Sequence, residues 1–164
     1  MSVNKNTAII DYLLQCPNIV NSPLYFNFIE AKDGATQVLT MTDETATLRR
    51  YVDGSVRRRY MFNLLVFKSI SEAAIPKPAE PMDEMSIENV EDISDVQALI
   101  DWVSEQNDLR NYPNFGESCI IENIESTTDT PRLMGVNTEL NPPLAMYSVS
   151  IQVEYIDESK VIWN

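Results

Sequence analysis

The stretch over residues 47–67 decides the fold of this chain, and it reads TLRRYVDGSVRRRYMFNLLVF. Two strand-like segments flank the pair Asp53-Gly54. An Asp-Gly pair in this position predicts a β-hairpin with a type I′ turn, because that turn needs positive φ at both central residues. The arms predict strands over residues 45–52 and 56–67, and the second strand has one clearly apolar face.

Two helices are predicted on either side of this hairpin in the sequence. The first begins at a cap on Asn6 or Thr7 and runs to about residue 15, where Pro17 ends it. The second begins at a cap on Ser94 or Asp95 and runs to about residue 107, with apolar residues at i, i+3, i+4 and i+7. Each helix therefore has an apolar stripe that can pack on a sheet.

Four further strands are predicted, over residues 24–31, 37–41, 118–127 and 144–156. A turn at Asp33-Gly34 is expected to join the first two as part of an antiparallel meander. Residues 128–143 predict a protruding polar loop or hairpin tip. The expected fold class is α+β, an antiparallel sheet of about five to six strands with two helices packed on one face.

Composition predicts a single domain over residues 1–164, with an acidic, proline-rich insert at about 71–93. The net charge is −13, and residues 80–108 contain many acids but no lysine or arginine. Such a charge argues against tight wrapping of DNA, which needs clustered cations. No apolar run is long enough to span a bilayer, and residues 1–15 lack a signal-peptide pattern, so we expect synthesis in the cytoplasm.

The residue types needed for most enzyme chemistry are missing. The chain has no histidine, which removes a Ser-His-Asp triad and the commonest zinc ligand. Its 4 glycines form no phosphate loop, and Cys16 and Cys119 have no partner motif. Acids at 88, 91, 92 and 95 do not match a calcium-binding loop. We expect no catalytic residue, no metal and no cofactor. A small enzyme such as an acyltransferase is the competing class, and these absences argue against it.

Three interpretations compete for the arginines of the hairpin arms: a nucleic-acid patch, a solvated strand edge that resists aggregation, and a contact between copies. We favour the contact, because the planar guanidinium binds carboxylates bidentately and residues 80–108 supply carboxylates. A basic ribbon that meets an acidic face on the next copy can close into a ring. An apolar tail ending in Trp163 is expected to dock on the body or on a neighbour. The candidate interface residues are Arg49, Arg50, Arg57, Arg58, Arg59, Glu88, Glu91, Asp92, Asp101, Glu105 and Trp163.

Four segments, taken in order, carry a resemblance to a known family. They read RYVDGS over residues 50–55, YMFNL over 60–64, DWV over 101–103 and AMYSVSIQVEY over 145–155. In this order, and over nearly the whole chain, they resemble the small tail-terminator proteins of long-tailed bacteriophages, often labelled minor capsid proteins. The acidic insert and the tail with Trp163 depart from that pattern.

The resemblance implies a structural virion protein of the tail or neck, assembled in the host bacterial cytoplasm. Such a protein forms a ring, typically a hexamer, at the head-proximal end of the tail. The ring stops tube polymerisation and offers a surface to the head–tail connector. The implied partners are further copies of the chain, the tail tube protein and the connector, with a sheath or collar protein as a further candidate. DNA would pass through the lumen without specific binding, and no membrane is involved. The alternative is a head-completion or connector adaptor protein of the neck.

Overall fold

The computed structural model describes residues 4–17, 19, 24–26, 36–40, 46–69, 85–137, 139 and 143–162. Its helices are α1 (Lys5–Leu13) and α2 (Met85–Asp108). Its strands are β1 (Leu24–Phe26), β2 (Thr36–Thr40), β3 (Ala46–Arg50), β4 (Val56–Ser69), β5 (Cys119–Ser126), β6 (Arg132–Asn137) and β7 (Leu144–Asp157). The predicted α+β class, with two helices and a largely antiparallel sheet, is confirmed.

The sheet is built on the long antiparallel pair β4 and β7, which stay in register from Val56↔Asp157 to Ser69↔Leu144. The free edge of β4 takes β3 near its start and β2 further along, and β2 carries β1. The free edge of β7 takes β6 near its start and β5 near its end. The described part of the chain thus forms a sheet of 7 strands.

The pairing of β1 with β2 is parallel, so the predicted antiparallel meander is wrong at this point. Asp33-Gly34 resembles a tight-turn signal, but parallel neighbours need a longer connection that crosses over. Residues 27–35, which contain that pair and the rest of the predicted first strand, lie outside the described part.

The core lies on one face of the sheet, under both helices. Alternate residues of the central strands point into it, among them Phe62 and Leu64 of β4 and Val149 and Ile151 of β7, each essentially fully buried. The apolar stripes of α1 and α2 close over them, with Ile9, Tyr12 and Leu13 from α1 and Val96, Leu99 and Val103 from α2. The hydroxyl of Tyr60 donates to Asn6 Oδ1 and ties α1 to β4. Placement of both helices on one face is therefore confirmed.

The helix starts differ from the prediction. Asn4 caps α1, since its side chain accepts hydrogen bonds from the amides of Asn6 (2.9 Å) and Thr7 (3.4 Å). The second helix already includes Met85, so residues 85–93 of the predicted insert are helical and Ser94 lies inside the helix. Met, Glu and similar residues favour a helix without an apolar stripe, which is why periodicity missed this half. Residues 71–84 of the insert lie outside the described part.

Of the two alternatives predicted for residues 128–143, a protruding loop or a hairpin tip, the structure shows the hairpin. Residues Arg132–Asn137 form β6 and pair with Leu144–Ser148 of β7. The register shifts between Leu133 and Gly135, an irregularity that breaks the period-2 pattern on which strand prediction depends. The connection is therefore a hairpin whose first arm the sequence pattern did not reveal.

Candidate interaction surface

The hairpin between β3 and β4 turns through a three-residue loop. The Tyr51 amide donates to the Ser55 carbonyl (2.9 Å) and the Gly54 amide to the Tyr51 carbonyl (3.2 Å). Gly54 has a φ of 93°, whereas the only described non-glycine residue with positive φ is Arg110. The predicted type I′ turn is therefore wrong, because Asp53 does not take positive φ. A longer loop closed by a left-handed glycine serves the same hairpin.

Asp53 stabilises this loop by capping it. Its Oδ1 accepts the amide of Ser55 at 2.9 Å and the hydroxyl of Ser55 at 2.6 Å. These hydrogen bonds favour the ionised carboxylate and lower the pKa of Asp53. These bonds hold the backbone of the loop in one conformation.

The C-terminal segment packs against the same loop. The amide of Ile162 donates to the carbonyl of Asp53 (3.0 Å), and Gly54 lies so close to Lys160 that a Cβ there would collide with the Lys160 carbonyl. The expectation that the tail docks on the body thus holds for the described residues up to Ile162, which remains 74% exposed. Trp163 lies outside the described residues.

Two of the five predicted arginines already have carboxylate partners inside the chain. Arg57 Nη2 lies 2.9 Å from Glu154 Oε2 and 3.2 Å from Glu122 Oε2, and Arg58 Nε lies 3.5 Å from Asp157 Oδ2. The hydrogen bond to Glu154 and the charge of Glu122 raise the pKa of Arg57. The partners come from β5 and β7 because cross-strand neighbours share a face. A role for this pair of arginines between copies stays a prediction.

The other three arginines differ. Arg49 and Arg50 are exposed on β3, and the guanidinium of Arg49 lies 5.2 Å from the centre of the Tyr51 ring. Arg59 is half-buried on β4. Within the described part of the chain, none of the three makes an ion pair. Arg49 and Arg50 are therefore the cations that β3 presents to solvent.

The acidic counterpart is the outer side of α2. Asp101, Glu105 and Asp108 are exposed and lie opposite the buried stripe of the helix. The last turn of α2 contains no basic residue. The negative end of the helix dipole and the carboxylates there therefore have no cation within the helix beside them. This end of α2 is a place where a cation from outside would be stabilised. Glu88, Glu91 and Asp92 lie in the first half of α2, and their side chains are outside the description.

An exposed apolar strand edge was not anticipated from the sequence. All six residues of β6 are exposed, including Leu133, Met134 and Val136. Beside β6 lies a cavity of about 260 Å³, lined mainly by Phe67, Val136, Leu144 and Met146. The apolar residues at 133, 134 and 136 were the available signal, but the surrounding Pro, Asn and Thr residues favoured a loop.

The two cysteines lie in different surroundings. Burial raises the pKa of the Cys119 thiol, which weakens it as a nucleophile, and Cys16 is buried. A groove of about 310 Å³ between α1 and residues 112–114 is lined by Asp11, Gln15 and Tyr112 among others. In the ranges that the structure covers, no group of three or more Cys, Asp or Glu residues is placed to hold a metal ion.

No described helix is both long enough and apolar enough to cross a membrane. No protein-family model matches this chain, and none of the curated proteins compared with it gives a significant match.

Proposed function

We propose that this chain is a structural protein of a bacteriophage virion, a tail terminator. Copies of it would form a ring at the head-proximal end of the tail tube, stop growth of the tube and provide the surface to which the head joins. Two lines support the proposal: the ordered sequence resemblance to tail terminators, and a distribution of charge that suits contacts between identical copies.

The observation that carries the proposal is the separation of unpaired charges. Arg49 and Arg50 are exposed on the sheet edge, whereas Asp101, Glu105 and Asp108 are exposed on α2. These two sets make no ion pair with each other inside the described part of the chain. A contact between different patches of identical molecules is heterologous, and it closes into a ring when the rotation between copies allows.

Capping follows from a ring whose two faces differ. One face would match the last ring of the tube, and the other would offer no site for a further tube subunit. The net charge of −13 suits a conduit, because acidic walls do not retain phosphate groups. A rigid scaffold is required, and the β4–β7 pair with both helices packed on it meets this requirement.

The test starts with purified protein, alone and with isolated tail tubes, followed by native mass spectrometry and negative-stain imaging. We expect rings that bind one end of each tube. The double variant R49E/R50E should lose rings, as should D101K/E105K. Mixing the two variant proteins should restore contacts in part, because each supplies the patch that the other lacks. Restoration separates a charge contact from damage to either surface.

A protein that stays monomeric at high concentration and ignores tube ends would contradict the proposal. Rings that ignore tubes but bind head connectors would replace it with the head-completion or adaptor function.

A further inference from the structure

Four strands end the described sheet: β1 and β5 at the two ends of its main path, and two more off that path. The two off the path are β3, which pairs only with β4, and β6, which pairs only with β7. Both strands carry large apolar side chains that are partly in solvent: Leu48 is 42% exposed on β3, and Leu133 and Met134 are 52% and 49% exposed on β6. Native edges are usually protected by charges or covered, because an open apolar edge templates pairing with another strand.

The neighbouring edge of β5 shows what protection looks like in this chain. Asn107 Oδ1 accepts the amide of Ile124 (3.0 Å), and the hydroxyl of Tyr112 donates to the carbonyl of Glu122 (3.2 Å). Two side chains, one in the last turn of α2 and one just after the helix, thus form hydrogen bonds with backbone groups of β5. No hydrogen bond of this kind reaches β6 in the part of the chain described. The contrast singles out β6 as an edge left available for a strand.

Strand direction suits β3 of a second copy as the occupant. Because β3–β4, β4–β7 and β7–β6 are all antiparallel, β3 and β6 run in opposite directions. A second copy placed beside the first in the same sense would meet β6 with its β3 antiparallel, the pairing with the more favourable hydrogen-bond geometry. We propose that β3 of one copy adds to the edge of β6 of the next, so that one sheet continues through the assembly.

Charges of both signs lie where the two strands would meet. Antiparallel addition puts the C-terminal end of β3, with Arg49 and Arg50, beside the N-terminal end of β6. Near that end, Gln97 Nε2 donates both to Asp101 Oδ1 (3.2 Å) and to the backbone carbonyl of Asp129 (2.9 Å), which places the Asp101 carboxylate close to residue 129. Arg132, the first residue of β6, is an exposed cation at the same end. The contact would therefore bring a cation of β3 to Asp101, in a register that keeps it apart from Arg132.

The faces match as well. Arg50 pairs with Val56, and alternation along β4 puts Val56 on the same face as the buried residues Tyr60 and Phe62. This face is covered by the helices, and Asp101 lies on α2 above it. Arg50 and Asp101 would thus meet on one side of the continued sheet. The cavity beside β6, lined by Phe67 and Met146 among others, opens on the opposite face of the sheet, away from the helices.

A stagger follows from the positions of the two strands. Partners of β3 begin at Val56, whereas β6 lies level with the far end of β4, near Ser69. At ~3.3 Å per residue, the shift between them is on the order of 30 Å along the strands. The continued sheet would therefore run obliquely around the assembly axis.

The inference rests on the self-association in the proposed function, but not on its phage context. Amide hydrogen exchange on the full chain, at concentrations below and above assembly, provides the first test. We expect amides of both β3 and β6 to gain at least tenfold protection on assembly, because strand addition occupies backbone donors. Docking through side chains alone would leave these amides exchanging as in the monomer, and that result would overturn the inference.

Variants with lysine on each edge provide the second test. L133K/V136K on β6 and L48K on β3 should each weaken association at least tenfold by sedimentation, since charge on an edge strand opposes pairing. L14K is the matched control, because Leu14 is 41% exposed at the end of α1 and belongs to neither edge strand. It should assemble as the wild type does. Circular dichroism and unfolding by urea check that each variant folds.

The outcomes separate the two proposals. Rings that cap tubes without protection of β3 and β6 would overturn strand addition and leave the tail-terminator function intact. Rings with protected amides in β3 and β6 that do not bind tubes would support strand addition and overturn the tail-terminator function. Loss of association in L133K/V136K but not in L48K would show that β6 pairs with another occupant, such as β6 of a second copy. A wild-type chain that remains monomeric would overturn both the tail-terminator function and strand addition.

Discussion

At the scale of single residues, Gly54 is a position that both the backbone conformation and a close neighbour restrict to glycine. Its φ of 93° is left-handed, and a Cβ there would collide with the Lys160 carbonyl. We expect Gly54→Ala to lower the free energy of unfolding by about 1–3 kcal/mol, because strain and collision add. Urea denaturation monitored by tryptophan fluorescence measures the change.

Gly135 is the matched control for this variant. A Cβ at Gly135 would find no atom within 4 Å. Gly135→Ala should therefore leave the stability unchanged to within about 0.5 kcal/mol, as for most exposed sites. Equal losses in the two variants would mean that the turn and the tail do not constrain Gly54.

Variants of Arg57 and Arg50 should have different effects, one on the stability of the fold and the other on association between copies. Arg57 bonds Glu154 and Glu122 inside the chain, whereas Arg50 makes no ion pair in the described residues. Since the Arg57 side chain is 38% exposed, solvent screening makes the loss of stability in Arg57→Gln small. Arg50→Gln should leave stability unchanged and weaken association. The opposite result in unfolding and sedimentation experiments would reverse the assignment of the two arginines.

At the scale of elements, the β3–β4 hairpin and the end of β7 share a pH-dependent attachment. Burial raises the pKa of Asp157, but hydrogen bonds from Ser159 and the charges of Arg58 and Lys5 outweigh it, so the pKa is lowered overall. A lowered folded-state pKa means that the carboxylate stabilises the fold above its unfolded pKa of about 3.9. This contribution is lost as the pH falls through the lower folded-state pKa.

The prediction is a difference between two pH profiles. Asp157→Asn should be less stable than the wild type near neutral pH, and the gap should close as the pH falls through the unfolded pKa of about 3.9 and then through the lower folded-state pKa. Urea titrations at several pH values measure it. A gap that persists at the acidic end would show that Asp157 acts by packing and hydrogen bonding rather than by its charge.

The sequence predicts an element well when the residues of that element alone carry the signal, and poorly when the signal depends on other parts of the chain. The alternation in β4 and β7 is local, because each strand buries one face under the helices, and both strands were found. The parallel pairing of β1 with β2 and the first half of α2 have no local signature of this kind. They depend on connections and helix propensity rather than on an apolar period.

The same distinction applies to the candidate surface. Exposure of Arg49 and Arg50 follows from an edge strand that the hairpin motif predicts. The partners of Arg57 and Arg58 do not, because Glu122, Glu154 and Asp157 reach them only through the register of β5 and β7 with β4. The sequence therefore predicts where the charges lie on their own strand, and only tertiary pairing decides which of them remain unpaired.

At the scale of the whole molecule, two electrostatic effects oppose each other when copies associate. A net charge of −13 makes copies repel at long range, whereas Arg49 and Arg50 attract carboxylates only at short range. The screening length is about 30 Å at 0.01 M salt, about 10 Å at 0.1 M and about 3 Å at 1 M. Moderate salt therefore removes the repulsion between whole molecules before it weakens a contact pair.

We accordingly expect association to be strongest at intermediate salt. Sedimentation velocity from about 0.01 M to about 1 M salt should show ring formation rising and then falling. In R49E/R50E the attractive pairs are gone and the net charge is more negative, so residual association should only rise with salt. If wild-type association fell continuously from the lowest salt, local ion pairs would dominate over the net charge. If it rose continuously to about 1 M, the apolar edges of β3 and β6 would carry the contact without help from the arginines.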